Sequence, residues 1–261
     1  MIKLCLITPI ENLGLCNYGD MFFALTRQLS ESKEYYEYFK RKKKLGFQII
    51  CDNNIHEMTE VNFEEHVKLA LEIGTIIIIP DVLRNKKKTL EHFHYFMDRW
   101  FEILHKNQIK IMAVPQGETF EEIMECFDEF NNDKRVDMVG NSFDLTPYQL
   151  LPEKYANQSA NRLLIVNKWC ELTTKKIHLL GCNNLNELYS LNKFKQVHST
   201  DGKFFSRISL AGIRLTYDNW RDIIKNEEIK MEFNKRLTLT QMGLFVKNVL
   251  FFREVLNDRH L

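Results

Sequence analysis

Six segments of this chain end an apolar run on a polar or glycine residue and then continue into a helical pattern. Their endings read IICD, IIIIPD, MAVPQG, VDMVGN, IHLLGC and VHSTD. Continuous apolar runs of this kind are typical of parallel strands that are buried on both faces. We therefore predict a parallel β/α protein. The length of 261 residues favours one (β/α)8 TIM barrel, a single domain over 1–261.

Composition favours a soluble, cytoplasmic protein. The unbroken apolar stretches, such as Ile76–Ile79, are too short to span a bilayer, so we expect no membrane association. The N-terminus, MIKLCLITPI, lacks a small-residue cleavage site and is interpreted as the first strand. The six cysteines include no CxxC pair, which argues against a disulfide framework and a zinc knuckle. A net charge of +1 leaves any nucleic-acid binding to local basic clusters.

Periodicity assigns the remaining elements. The segment ENLGLCNYGDMFF, with its glycines and asparagine, is expected to form a loop over the barrel mouth. The other predicted elements are a first strand at 2–9, a helix over 22–44, a strand at 46–52, a last strand at 213–216 (IRLT) and a C-terminal helix over 238–256.

The candidate site residues share one position, the carboxyl end of a predicted strand. A (β/α) barrel gathers these ends around one mouth, where its chemistry is done. The residues concerned are Asp52, Asp81, Gln116, Gly117, Gly140, Asn141 and Asp201. A single aspartate at a strand end is about as often a helix N-cap as a site residue. Three aspartates and a glutamine around one mouth favour a site.

Basic residues near the same mouth are candidates for phosphate contacts. Lys86, Lys87 and Lys88 follow a strand, and Lys203 follows Asp201; such contacts would make binding salt-sensitive. The run over 40–44 precedes a strand, so we assign it to the opposite face as a solvated helix end. His178, inside an apolar strand, is expected to be a core or supporting histidine rather than a ligand.

The stretches PQG, VGNSF, HLLGC and STDGK, in this order and at barrel-like spacing, resemble the core of the tRNA-guanine transglycosylase superfamily. The similarity covers roughly 46–205 and is closest to the short, zinc-less branch that inserts 7-deazaguanines into DNA. In the tRNA enzymes the comparable stretches read DSGG, VQGG, VGG and HLMG, with a late aspartate at a strand end.

The resemblance implies a role for each matching residue. Asp201 would be the nucleophile that attacks the sugar C1′ and holds a covalent glycosyl-enzyme intermediate. Asp52 would act as general acid and base on the departing and incoming bases. Asp81 and Gln116 would read the edge of guanine or a deazaguanine. Gly140 would offer its backbone amide to that base, with Gly117 and Asn141 beside it.

The chain departs from the family pattern in three places. Asn53, Asn54 and Ile55 replace the residues that follow the aspartate of DSGG, and Glu118 follows PQG where a small residue is usual. The structural zinc site of three cysteines and a histidine is missing, because no cysteine follows Cys182. We therefore expect no metal and no cofactor, and DNA rather than tRNA as the nucleic-acid substrate.

The sequence thus predicts a pentosyltransferase that exchanges guanine in nucleic acid for a free 7-deazaguanine base. Two alternatives stay open. One is an N-glycosidase that uses water as the acceptor, and the other is a non-catalytic accessory subunit of a transglycosylase. The superfamily also makes a homodimer or a complex with a partner subunit a reasonable expectation.

Overall fold

A computed structural model describes residues 1–53, 62–143, 158–181, 184–223 and 231–258. Eight parallel strands form one sheet in the order β1-β8-β7-β6-β5-β4-β3-β2, and a bridge from Cys5 to Met21 brings the two edges together. The fold is therefore the predicted (β/α)8 barrel. The strands are β1 (Lys3–Leu6), β2 (Phe22–Leu25), β3 (Ile49–Asp52), β4 (Ile76–Ile78), β5 (Lys110–Ala113), β6 (Met138–Asn141), β7 (Lys176–Leu179) and β8 (Val197–Gly202).

Helices alternate with these strands and cover the outside of the barrel. A 3₁₀ helix, Ile10–Tyr18, connects β1 to β2. The α-helices are α1 (Thr26–Glu31), α2 (Lys33–Lys44), α3 (Phe63–Ile73), α4 (Lys86–Lys106), α5 (Phe120–Asn132), α6 (Gln158–Leu172), α7 (Leu185–Leu191), α8 (Phe204–Leu210) and α9 (Leu239–Asn257).

Both faces of each strand are buried, which explains the continuous apolar runs. Alternate residues face the barrel interior and the surrounding helices. On β3, for example, Ile50 faces the interior and Cys51 faces the helices. The interior cluster consists of Cys5, Ile7, Met21, Phe23, Leu25, Ile50, Ile76, Ile78, Met112, Val114, Met138 and Met231.

The position of one strand differs from the prediction. Phe22–Leu25 is not the first turn of a helix but forms β2, which is buried along its whole length and pairs with β3. No glycine or proline separates FFAL from the helical TRQL, so periodicity merges the strand with the helix. The predicted last strand at 213–216 is wrong as well. That segment is irregular, and the N–H of Leu215 donates to Asn248 Oδ1 of α9 at 2.8 Å.

The segment predicted to be a mouth loop is instead the return connection from β1 to β2. The thiol of Cys16 donates to the carbonyl of Leu6 at 3.1 Å. Farther along, the N–H of Asp20 donates to the carbonyl of Leu4 at 2.8 Å. The chain therefore runs back along β1 toward its amino end, because a parallel neighbour has to begin there.

Candidate active site

Asp201 lies on β8 and faces the barrel interior, since its register partner on β1 is the interior residue Cys5. The side chain is nearly buried, and one of its two oxygens is held firmly. Oδ1 accepts a hydrogen bond from the N–H of Gly181 at 2.9 Å and lies 3.2 Å from His178 Nε2. Oδ2 has no hydrogen-bond partner among the residues that the structure describes. The carboxylate is thus fixed through one oxygen and presents the other.

His178 lies on β7 and is oriented by contacts on both ring nitrogens. Nδ1 lies 2.8 Å from Ser199 Oγ, and the ring stacks on Phe23 of β2 at a centroid distance of 5.8 Å. A carboxylate can only accept, so Nε2 carries the proton and Nδ1 accepts from the serine hydroxyl. Sequence reasoning did not identify Ser199, although its spacing of two residues from Asp201 puts both on the same face of a strand.

The turn that carries the Gly181 N–H is held from behind by a buried ion pair. Arg162 of α6 donates to the carbonyl oxygens of Leu180 and Gly181 at 2.7 and 3.0 Å, and also to Glu187 Oε1 of α7. The Arg162 and Glu187 side chains are 1% and 0% exposed. Gly181 has φ of +69°, which favours glycine, so this turn depends on the residue type as well. Sequence reasoning missed this pair because a lone charge in a helix normally lies in solvent.

Asp81 is the centre of a second group, formed at the carboxyl ends of β3, β4 and β5. Asn53 Nδ2 donates to Asp81 Oδ1 and Gln116 Nε2 donates to Asp81 Oδ2, each at 2.6 Å. The N–H of Arg84 donates to Gln116 Oε1 at 3.2 Å, and Asn53 Nδ2 also contacts the carbonyl of Ile79 at 2.9 Å. Asn53, Asp81 and Gln116 are all buried. The structure therefore brings two predicted site residues together and adds Asn53, which stands where the family pattern DSGG has its serine.

Asp52 is the last residue of β3 and pairs in register with Leu25 of β2. Because Leu25 belongs to the interior cluster, Asp52 faces the interior at the mouth, where it is half-buried. Its backbone carbonyl accepts a hydrogen bond from the hydroxyl of Thr26. Asn54 and Ile55, which also depart from the family pattern, lie outside the described residues.

The predicted glycines have packing roles in this structure. A Cβ on Gly140 would lie 2.9 Å from Val114 Cγ2, so the space in front of it is filled by an interior side chain. A Cβ on Gly117 would lie 2.6 Å from Glu122 Cβ, so this glycine lets α5 begin close to β5. Asn141 is buried, and its Oδ1 has no hydrogen-bond partner within the described part of the chain.

The candidate phosphate-binding lysines differ in the contacts that their ammonium groups make within the protein. Lys86 pairs with Glu125 of α5, whereas Lys87 and Lys88 are exposed in the first turn of α4. Lys203 lies over the ring of Phe233, with its Nζ 4.6 Å from the centroid. Because α4 follows β4, its first turn lies at the carboxyl end of the barrel, and Lys87 and Lys88 are the better placed for a phosphate.

The fold and these contacts define a (β/α)8 barrel with acidic residues at its carboxyl-terminal mouth. In comparisons with known proteins, neither a family model nor a curated sequence matches the chain. Within the described ranges, no helix has the length and apolar character needed to cross a membrane. The same ranges contain no group of three or more histidine, cysteine, aspartate or glutamate residues arranged to hold a metal ion.

Proposed function

We propose that this protein is a base-exchange glycosyltransferase, a pentosyltransferase that replaces guanine in DNA with a 7-deazaguanine derivative. The observation that carries the proposal is the hydrogen bonding of the two carboxylate oxygens of Asp201. Its Oδ1 is held by His178 and Gly181, and its Oδ2 has no protein partner in the described ranges. A nucleophilic carboxylate needs this combination of one anchored oxygen and one that faces the substrate.

In the first half-reaction, Asp201 Oδ2 attacks the sugar C1′. The bond between C1′ and N9 breaks, its electron pair leaves with guanine, and a glycosyl ester forms on Asp201. Asp52 donates a proton to the departing base. In the second half-reaction Asp52 takes a proton from the incoming deazaguanine, which attacks C1′ and releases Asp201. The His178 Nε2–H stabilises the carboxylate whenever it is free.

The Asp81 group suits recognition of the base. An aspartate can accept from both the N1–H and the 2-amino group of guanine or a deazaguanine. The Gln116 amide carries two N–H groups, of which one donates to Asp81 and the other suits the 6-oxo group. Asn53 fixes the orientation of the Asp81 carboxylate. A target base in duplex DNA would have to be extruded from the stack before it reached this edge.

Trapping of the covalent intermediate tests the proposal. Wild-type protein, incubated with guanine-containing DNA without an incoming base, should form an adduct that survives a denaturing gel. Asp201→Asn should form none, whereas Asp52→Asn should exchange labelled guanine slowly. Asp98→Asn, at an exposed position of α4, is the matched control and should behave as wild type. Full exchange activity in Asp201→Asn would refute the mechanism.

Product analysis in the same experiment separates the two alternatives. Release of free guanine in excess of one equivalent per enzyme, without any added deazaguanine, would indicate an N-glycosidase, with water activated by Asp52. Calorimetric titration with 7-deazaguanine bases should show binding that Gln116→Ala weakens. Absence of base binding, together with a stable complex with a full-length paralogue, would identify an accessory subunit.

A further inference from the structure

Three lysines point into the barrel at its amino-terminal end, opposite the candidate active site. Lys110 of β5 pairs in register with Ile76, and Lys176 of β7 pairs with Met138. Both partners belong to the interior cluster, so both lysines face inward. Lys3 of β1 lies two residues before the interior residue Cys5 and shares its face. Alternate strands of the barrel thus direct three ammonium groups to one opening.

A cavity of about 240 Å³ occupies this opening. Its lining supplies many hydrogen-bond donors to a bound group. They come from the side chains of Gln48, Lys110, Thr174, Lys176 and His198. The Lys175 ammonium also lines the cavity but donates to the backbone carbonyls of Asp133 and Val136. The volume lies below the range of about 300–1,000 Å³ typical of sites for drug-sized ligands, so the cavity suits a small group.

Positive charge exceeds negative charge in the cavity lining, where Lys110, Lys175 and Lys176 face the single carboxylate of Asp137. Within the described ranges, Lys3, Lys110 and Lys176 have no ion-pair partner, and Lys3 Nζ contacts only the amide oxygen of Gln48, at 3.5 Å. One carboxylate, Asp137, also lines the cavity, and its Oδ2 accepts the N–H of Ile111 at 2.9 Å.

The lysines also repel one another. Burial lowers the pKa of Lys176, and the neighbouring charges of Lys110 and Lys3 lower it further. Burial and the same lysines lower the pKa of His198 to about 4, so this imidazole is neutral near pH 7 and adds no charge. Lys110 and Lys176 are exposed and Lys3 is half-buried, so an anion from solvent can reach this end of the barrel. An anion in the cavity would remove the repulsion.

We propose that the amino-terminal opening of the barrel binds a phosphate group, either as free phosphate or as the phosphate monoester of a nucleotide. The lysines supply charge-assisted hydrogen bonds to the phosphate oxygens, and the Thr174 hydroxyl and Gln48 amide supply neutral donors. The site is independent of the proposed base exchange, because it lies at the other end of the barrel.

The test is calorimetric titration with inorganic phosphate at constant ionic strength. We expect binding to the wild type that the double variant Lys110→Gln/Lys176→Gln weakens by about tenfold or more, since it removes two charge-assisted hydrogen bonds. The control Lys68→Gln/Lys106→Gln removes the same charge from exposed positions of α3 and α4 and should bind as wild type.

Two results of the titration with phosphate would overturn the proposal. One is the absence of any binding at millimolar phosphate, and the other is an equal loss in the two double variants, which would reveal a general effect of net charge. A second titration with a nucleoside monophosphate and its nucleoside identifies the source of the phosphate. Tighter binding of the monophosphate than of phosphate indicates a nucleotide, and equal binding indicates free phosphate. Binding of the nucleoside alone, with none of phosphate, would also contradict the proposal.

Discussion

The two sides of the carboxyl-terminal mouth hold their carboxylates in different ways. On the β7–β8 side, Asp201 is bonded through one oxygen to an imidazole and to a backbone N–H. On the β3–β5 side, Asp81 is bonded through both oxygens to the amides of Asn53 and Gln116. The first arrangement includes an imidazole, whereas the contacts described for the second are neutral amides.

This difference suits two functions, covalent catalysis by Asp201 and base recognition by Asp81. A carboxylate that forms and breaks a covalent bond changes its charge, and the neighbouring imidazole N–H and backbone N–H donate to it when it is charged. A carboxylate that recognises a base has to keep the same charge and direction throughout, and two neutral amides hold it there. The proposed roles of Asp201 and Asp81 follow this division.

The largest loss of stability is expected when the buried ion pair between Arg162 and Glu187, which supports the β7–β8 side, is broken. Glu187→Leu leaves the Arg162 guanidinium buried without its carboxylate, and loss of one partner of a buried pair costs about 3–5 kcal/mol of unfolding free energy. Urea denaturation measures this cost. The control is Glu171→Leu, which breaks the exposed pair between Glu171 and Lys168 within α6 and should cost at most about 1 kcal/mol. Similar costs for the two variants would show that the buried pair does not stabilise the turn.

A smaller effect should distinguish the two carboxylates directly. Asp81→Asn places an amide N–H against the donor of either Asn53 or Gln116. This should cost about 2–3 kcal/mol of unfolding free energy. Asp201→Asn keeps an acceptor for His178 and Gly181 and puts its N–H₂ at the oxygen without a described partner, so it should cost less than about 1 kcal/mol. Urea denaturation of both variants gives the comparison. A larger cost for Asp201→Asn would mean that Oδ2 also has a structural role.

The sequence predicted the barrel because seven of its strands read as buried apolar runs, and β2 failed only because no turn residue separates it from α1. It also predicted that Asp81 and Gln116 would lie together, since adjacent parallel strands end at one edge. The contact between Arg162 and Glu187 joins two helices that a strand separates, and no local pattern indicates it. The choice of Asn53 as a third partner depends on side-chain geometry that a pattern does not contain.

The β3–β5 side is supported from outside by a histidine, which makes its stability depend on pH. His66 of α3 donates from Nε2 to the carbonyl of Ile78 at 2.8 Å, and its Nδ1 lies 2.9 Å from Thr26 Oγ1. Burial lowers the pKa of His66 from 6.5 to about 4. Between these values the unfolded chain binds a proton that the folded protein does not, so stability falls as the pH falls.

We expect this linkage to remove about 2 kcal/mol of unfolding free energy between about pH 7 and pH 5. Urea denaturation at each pH measures it. His66→Gln should flatten the dependence in this window even though it lowers stability at neutral pH, whereas His105→Gln, at an exposed position of α4, should retain the wild-type slope. Because the Ile78 carbonyl is next to the Ile79 carbonyl that Asn53 contacts, protonation of His66 should loosen the Asp81 group first. Hydrogen exchange measured at pH 5 tests this expectation. Faster exchange at β7–β8 than at β3–β5 would contradict it.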